Sequence, residues 1–201
     1  AEGPLRADDA FAERDRLRDA CAAAERPADV PDRGALGFPM ALSLVDHLPF
    51  WRTFFVRLGY AVAPSGPTDR DKAALGLARV PEEFCQPVKV LFGHVHHLLG
   101  GGVARVFVPH LRMMRPPADT ENRYACPYTQ GAPYVVRAQL GDAFPGAEVV
   151  SLEYPVPGEE AWWTRNAAKV LGLAHTEVAA ALRDATAAQA RFRAGCREAG
   201  T

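Results

Sequence analysis

The chain has 201 residues, 48% hydrophobic and 23% charged, which suits one globular domain with a substantial core, and its formal charge of -1 offers no long-range field for nucleic acid or an anionic membrane surface. Four cysteines are too few for a disulfide-dense secreted scaffold, no apolar run reaches the roughly 20 residues that span a bilayer, and the N-terminus lacks a basic segment followed by an apolar one. The expectation is a cytoplasmic protein with reduced thiols, no nucleic-acid partner and no membrane span.

Residues 8–25, rich in alanine and charge, read as a solvent-facing helix that ends at Arg26-Pro27. Residues 35–38 are short and apolar between Gly34 and Pro39, as a buried strand would be, and 40–58 read as helix with Pro49 starting a second segment. A second strand is expected at 60–63, then a polar turn and a short helix through Leu77. Residues 82–99 are helical with a start near Pro87, Gly100-Gly101-Gly102 stops that helix, and 103–108 form the clearest strand. An irregular excursion is expected over 110–121, helix over 134–140, a fourth strand over 148–152, and closing helices over 159–171 and 176–199 with Thr176 as cap. Short strands alternating with helices imply an α/β fold, a Rossmann-like lobe with a mainly parallel sheet of about four strands flanked by helices. The division is an N-terminal helix and linker over 1–33 and a cysteine-bearing lobe over 34–201.

Cys85 and Cys126 share a context, each just ahead of a proline and a helix-like run, in Phe84-Cys85-Gln86-Pro87 and Ala125-Cys126-Pro127-Tyr128. A sulfur at a helix start faces unpaired backbone N–H groups and the positive end of the dipole, a setting suited to a metal ligand or an attacking group. The bland alternative, a small buried hydrophobe, describes most free cysteines. No C-x-x-C pair exists, so any metal site collects its ligands from distant parts of the chain. Cys21 and Cys196 sit within surface helices with no special context.

The segment Gly37-Phe38-Pro39, Leu48-Pro49-Phe50-Trp51 with Phe54-Phe55 and Leu58-Gly59, Ser65, Cys85-Gln86-Pro87-Val88-Lys89, Gly93-His94, Val108-Pro109, and Cys126-Pro127 with Gln130-Gly131 and Pro133 resembles the DUF2229 domain of proteins related to the activators of 2-hydroxyacyl-CoA dehydratases. Leu171-Gly172-Leu173 with Thr176-Glu177-Val178 fits the usual end of that domain, so the likeness runs from about Ala35 onward. The resemblance implies a lobe of the dehydratase-subunit type whose cysteines bind an iron–sulfur cluster of the 4Fe-4S type. Carried residue by residue, Cys85 and Cys126 match the cluster ligands, with Lys89 and His94 as cofactor-binding positions. It further implies an ATP-hydrolysing activase, as domain or subunit, that delivers low-potential electrons for use on acyl-CoA or another small molecule. A complete member has a second cysteine-bearing lobe holding a third ligand, so the chain is expected to be a domain cut from a larger multidomain protein. The alternative is a noncatalytic interaction domain that docks the activase or that second lobe.

Other features carry less. Lys89 lies four residues beyond Cys85, one helical turn, where an ammonium would offset cluster charge, although a solvated lysine is the simpler reading. His94 and His97 share a helix face, yet no carboxylate or cysteine at helix spacing completes a zinc set. Phe50, Trp51, Phe54 and Phe55 read as core, and one ring of Trp162-Trp163 as exposed. Gly100-Gly101-Gly102 lacks the lysine of a phosphate loop, and neither Ser65 nor Ser151 has the partners of a hydrolase triad.

Overall fold

A computed structural model describes residues 9–80, 83–113 and 124–200. The expected helix start at Glu82 and most of the irregular excursion lie outside the described residues. Four strands, β1 (Ala35–Phe38), β2 (Ala61–Pro64), β3 (Arg105–Phe107) and β4 (Glu148–Val150), form an all-parallel sheet in the order β2-β1-β3-β4. Register pairs Leu36 with Val62, Gly37 with Val106 and Val106 with Val149. Seven α-helices flank the sheet among the described residues: α1 (Ala10–Ala22), α2 (Leu48–Arg57), α3 (Arg70–Arg79), α4 (Gln86–Gly100), α5 (Pro127–Leu140), α6 (Glu160–Leu171) and α7 (His175–Glu198). The fold is α/β, as the alternation of short apolar runs with helical ones implies.

Helix starts follow local chemistry. Asp9 accepts from the N–H groups of Phe11 at 2.9 Å and Ala12 at 3.2 Å, and Asp69 accepts from Lys72 N at 2.9 Å, so each carboxylate satisfies donors the first turn leaves bare. Pro87 and Pro127 sit in the first turns of α4 and α5, where a missing N–H costs nothing. Helix α7 starts before the expected cap: Glu177 reaches back to the Ala174 N–H at 3.2 Å, which makes Ala174 the cap and puts Thr176 inside the helix.

Each face of the sheet has its own core. On one face α2, α6 and α7 bury Trp51, Phe54 and Phe55 against Phe38 and Phe107, with ring centroids 4.6 Å apart for Trp51 and Phe107 and 4.7 Å for Phe55 and Phe107. On the other face α4 and α5 bury Val88, Leu91, Phe92, Val95 and Val136 against Val106, Val108 and Val149. Each such side chain contributes roughly 1.5–3 kcal/mol when withdrawn from water. The first crossover, through α2, covers one face, and the crossovers through α3 with α4 and through α5 cover the other, so strand order reverses between β1 and β3.

Candidate functional site

Helix α4 leads into β3, and α5 leads into β4, so both crossover helices run against the strands and begin at the carboxyl end of the sheet. Cys85, with extended backbone, is the N-cap residue of α4 and Cys126, at φ -52° and ψ 137°, the N-cap residue of α5, and both are exposed. The Cys85 carbonyl accepts from Val88 and Lys89 at 3.0 and 3.2 Å, and that of Cys126 from Thr129 and Gln130 at 2.9 and 3.0 Å. Neither sulfur caps its helix, because neither side chain bonds a first-turn N–H. The two starts lie side by side: the ring of Phe84, next to Cys85, meets that of Tyr128, two residues past Cys126, edge-on at 5.4 Å. Cys21 and Cys196 are on α1 and α7, in the layer beyond the opposite face of the sheet.

His94 has a different setting. It is fully buried, with Nδ1 2.7 Å from Ser65 Oγ and Nε2 2.9 Å from Thr68 Oγ1, while Ser65 Oγ accepts from the Met40 N–H at 2.9 Å. With Ser65 Oγ already accepting from Met40, Ser65 donating to Nδ1 and an Nε2–H donating to Thr68 is one arrangement that satisfies every one of these groups. Burial, aided by the nearby Lys72 ammonium, pushes the imidazole down to about 4. Both ring nitrogens are therefore spent on tying α4 to the ends of β1 and β2. The glycine before it has an equally structural reason, since a Cβ on Gly93 would lie 1.8 Å from the Lys72 carbonyl of α3. Lys89, half-buried one turn beyond Cys85, makes no ion pair among the described residues.

Among the described residues no group of three His, Cys, Asp or Glu side chains gathers as a metal site, so the two thiols stand at adjacent helix starts without a third ligand of these types beside them. The crevice between β1 and β3, where open α/β sheets usually take ligands, is closed to about 10 Å³ by Leu42, Leu91, Val108 and Ala132. Leu42 there holds a left-handed φ of 51°, a strained conformation for a side chain of its kind. Open space on this rim flanks that closed crevice on both sides: a cleft of about 720 Å³ beyond the ends of β1 and β2, beside Met40, Pro64, Arg18 and Arg52, and one of about 380 Å³ over the ends of β3 and β4, beside His110 and Ser151.

The CoA enzyme activase uncharacterised domain (DUF2229) matches residues 35–201, from the first residue of β1 through α7. The chain belongs to that family. Comparison with curated proteins and with solved structures finds no match. All four described strands of this DUF2229 domain fall within the match, whereas α1 precedes it and packs on α2 and α7. Sequence reasoning singled out Cys85, Cys126, Lys89 and His94 in the domain and passed over His110 and the cleft face of Ser151. Pairing between β3 and β4 decides which side chains share that face, and a single strand's pattern does not disclose it.

Proposed function

We propose that this CoA enzyme activase-related domain supplies Cys85 and Cys126 as two ligands of a 4Fe-4S-type cluster, completed by a second cysteine-bearing lobe. An ATP-hydrolysing activase, as domain or subunit, is the electron donor, and acyl-CoA or another small, hard-to-reduce molecule is the acceptor. The observation that carries the reading is the adjacency of two exposed N-cap cysteines, held by the contact of Phe84 with Tyr128. The cluster's own contribution is one-electron transfer at low potential. The chain's contribution is to fix two sulfurs on rigid helix starts, with two dipoles directed at the negative charge that thiolates and sulfides bring.

A second reading, a noncatalytic docking domain, is favoured by exposed aromatic rings on the same rim: Tyr124, Tyr128 and Tyr134. The deciding experiment is anaerobic reconstitution with iron and sulfide of this domain together with a second cysteine-bearing lobe. The cluster reading expects visible charge-transfer absorption that Cys85→Ala and Cys126→Ala each abolish or make labile, and Lys89→Met should keep the cluster while shifting its potential. Full, stable absorption in both cysteine variants would leave the docking reading in its place.

A further inference from the structure

The strand pairing that continues past β3 and β4 joins His110 to Glu153, with His110 N–H donating to the Leu152 carbonyl at 2.9 Å. Side chains alternate along these extensions. Phe107, Val150 and Leu152 face the α2, α6 and α7 layer, whereas Val108, His110, Ser151 and Glu153 face α5. Ser151 thus takes a position in a row that the valines at 106, 108 and 149 otherwise fill, and its buried Oγ has no hydrogen-bond partner among the described residues. A buried hydroxyl left unpaired is costly, and the residue that carries it lines the 380 Å³ cleft together with His110, the oxygen lying just beneath the cleft wall.

The chemistry of the cleft is narrow. His110 Nδ1 lies 3.0 Å from the Gln130 carbonyl, which only accepts, so Nδ1 carries the proton and Nε2 is left as an acceptor. Tyr134 sets its ring against the imidazole at 4.9 Å and fixes its plane. The cation of the cleft is already neutralised: Arg112 bonds Glu153 at 2.5 Å and Glu159 at 3.1 Å. Deep in the cleft one unpaired hydroxyl donor, one ring acceptor and no net positive charge suit a neutral group with both an acceptor and a donor, with the exposed Asn166 amide and apolar contact from Val170 on the facing wall. A carboxamide has that pattern, and a carboxylate lacks the donor and brings an unmatched charge.

We propose that this cleft is a binding site for a small uncharged amide, whose carbonyl takes the Ser151 hydroxyl proton and whose N–H donates to His110 Nε2. Its wall is continuous with the Cys126 segment, because Gln130 Nε2 donates to the Ala125 carbonyl at 2.7 Å and Ala125 N–H to the Arg112 carbonyl at 3.0 Å. Binding of this kind does not depend on whether Cys126 holds a cluster.

The test uses the whole chain with ¹⁵N-labelled histidine, the His110 signals being assigned by their loss in His110→Gln. Isobutyramide, at about 1–30 mM for a ligand of this size, should shift the Nε2 resonance saturably, with isobutyrate at least about tenfold weaker. Ser151→Ala should weaken isobutyramide about fivefold while leaving thermal stability unchanged or higher, since it removes an unpaired buried hydroxyl. A Ser151 with only a structural role would leave the affinity unchanged. Absence of a saturable shift, equal binding of isobutyrate, or unchanged affinity in Ser151→Ala overturns the proposal.

Discussion

A proton on the His94 ring would have to sit between two hydroxyls, on a buried ring and close to the Lys72 ammonium. The unfolded chain titrates at the ordinary value of 6.5, whereas the folded ring titrates at about 4. Above pH 6.5 both states are neutral and the fold keeps its full stability. As pH falls from 6.5 toward 4 the unfolded chain binds a proton that the folded one refuses, and stability drops by roughly 3 kcal/mol. His47 and His96, also held down chiefly by burial, act in the same direction. Urea unfolding at pH 7 and pH 4.5 should therefore show a clear loss in the native protein and a smaller one in His94→Gln. An equal loss in both would place the effect elsewhere. At the same knot, Ser65→Ala should cost about 2–3 kcal/mol at pH 7, because it strands both the Met40 N–H and His94 Nδ1, and the urea midpoint reads it directly.

Helices α3 and α4 touch backbone to backbone through Gly76 and Gly93, whose added Cβ atoms would lie 2.0 Å from the Lys89 carbonyl and 1.8 Å from the Lys72 carbonyl. Propensity alone favours alanine in a helix by about 1 kcal/mol, but here overpacking opposes it and wins. Gly93→Ala is expected to destabilise by about 3 kcal/mol or more, while Gly131→Ala in α5, where a Cβ meets nothing within 4 Å, should be neutral or slightly stabilising. Guanidinium titrations of the pair decide it, and a stable Gly93→Ala would contradict the close crossing. The elements themselves were largely legible, because short apolar runs and helical stretches alternate cleanly and Pro87 and Pro127 mark two helix starts. Their limits were less so. Helix α5 runs through Pro133, which local reasoning treats as a breaker, because burial of Ala132 and Val136 against α4 outweighs one missing donor. Strand β3 is regular only over Arg105–Phe107, where it has neighbours on both sides.

At the scale of the molecule, topology does what no motif could: two cysteines 41 positions apart reach neighbouring helix starts because two crossovers in the same direction cover the same face. The residue types at the candidate site were readable from sequence, as was the shared proline context. The partnership of His94 with Ser65 and Thr68 was not, because it depends on where the β2 loop meets the third turn of α4. Exposure of Cys85 and Cys126 leads to a direct check: a short bismaleimide should join them within one molecule, and both should react with a thiol reagent ahead of the half-buried Cys21 and Cys196. Reaction led by Cys21 or Cys196 would count against the described rim.

Leu17 of α1 lies against Gly195 of α7, where a Cβ would come within 3.2 Å of the leucine methyl group. These residues are separated by nearly the whole chain, so this contact has one of the longest loops in the protein to close. Its closure entropy cannot be repaid until α7 has settled on α2. In kinetic terms α1 is a latecomer. In pulsed hydrogen exchange during refolding, its amides should gain protection after those of the sheet and of α7, and in the native protein they should open at a lower free energy than the rest.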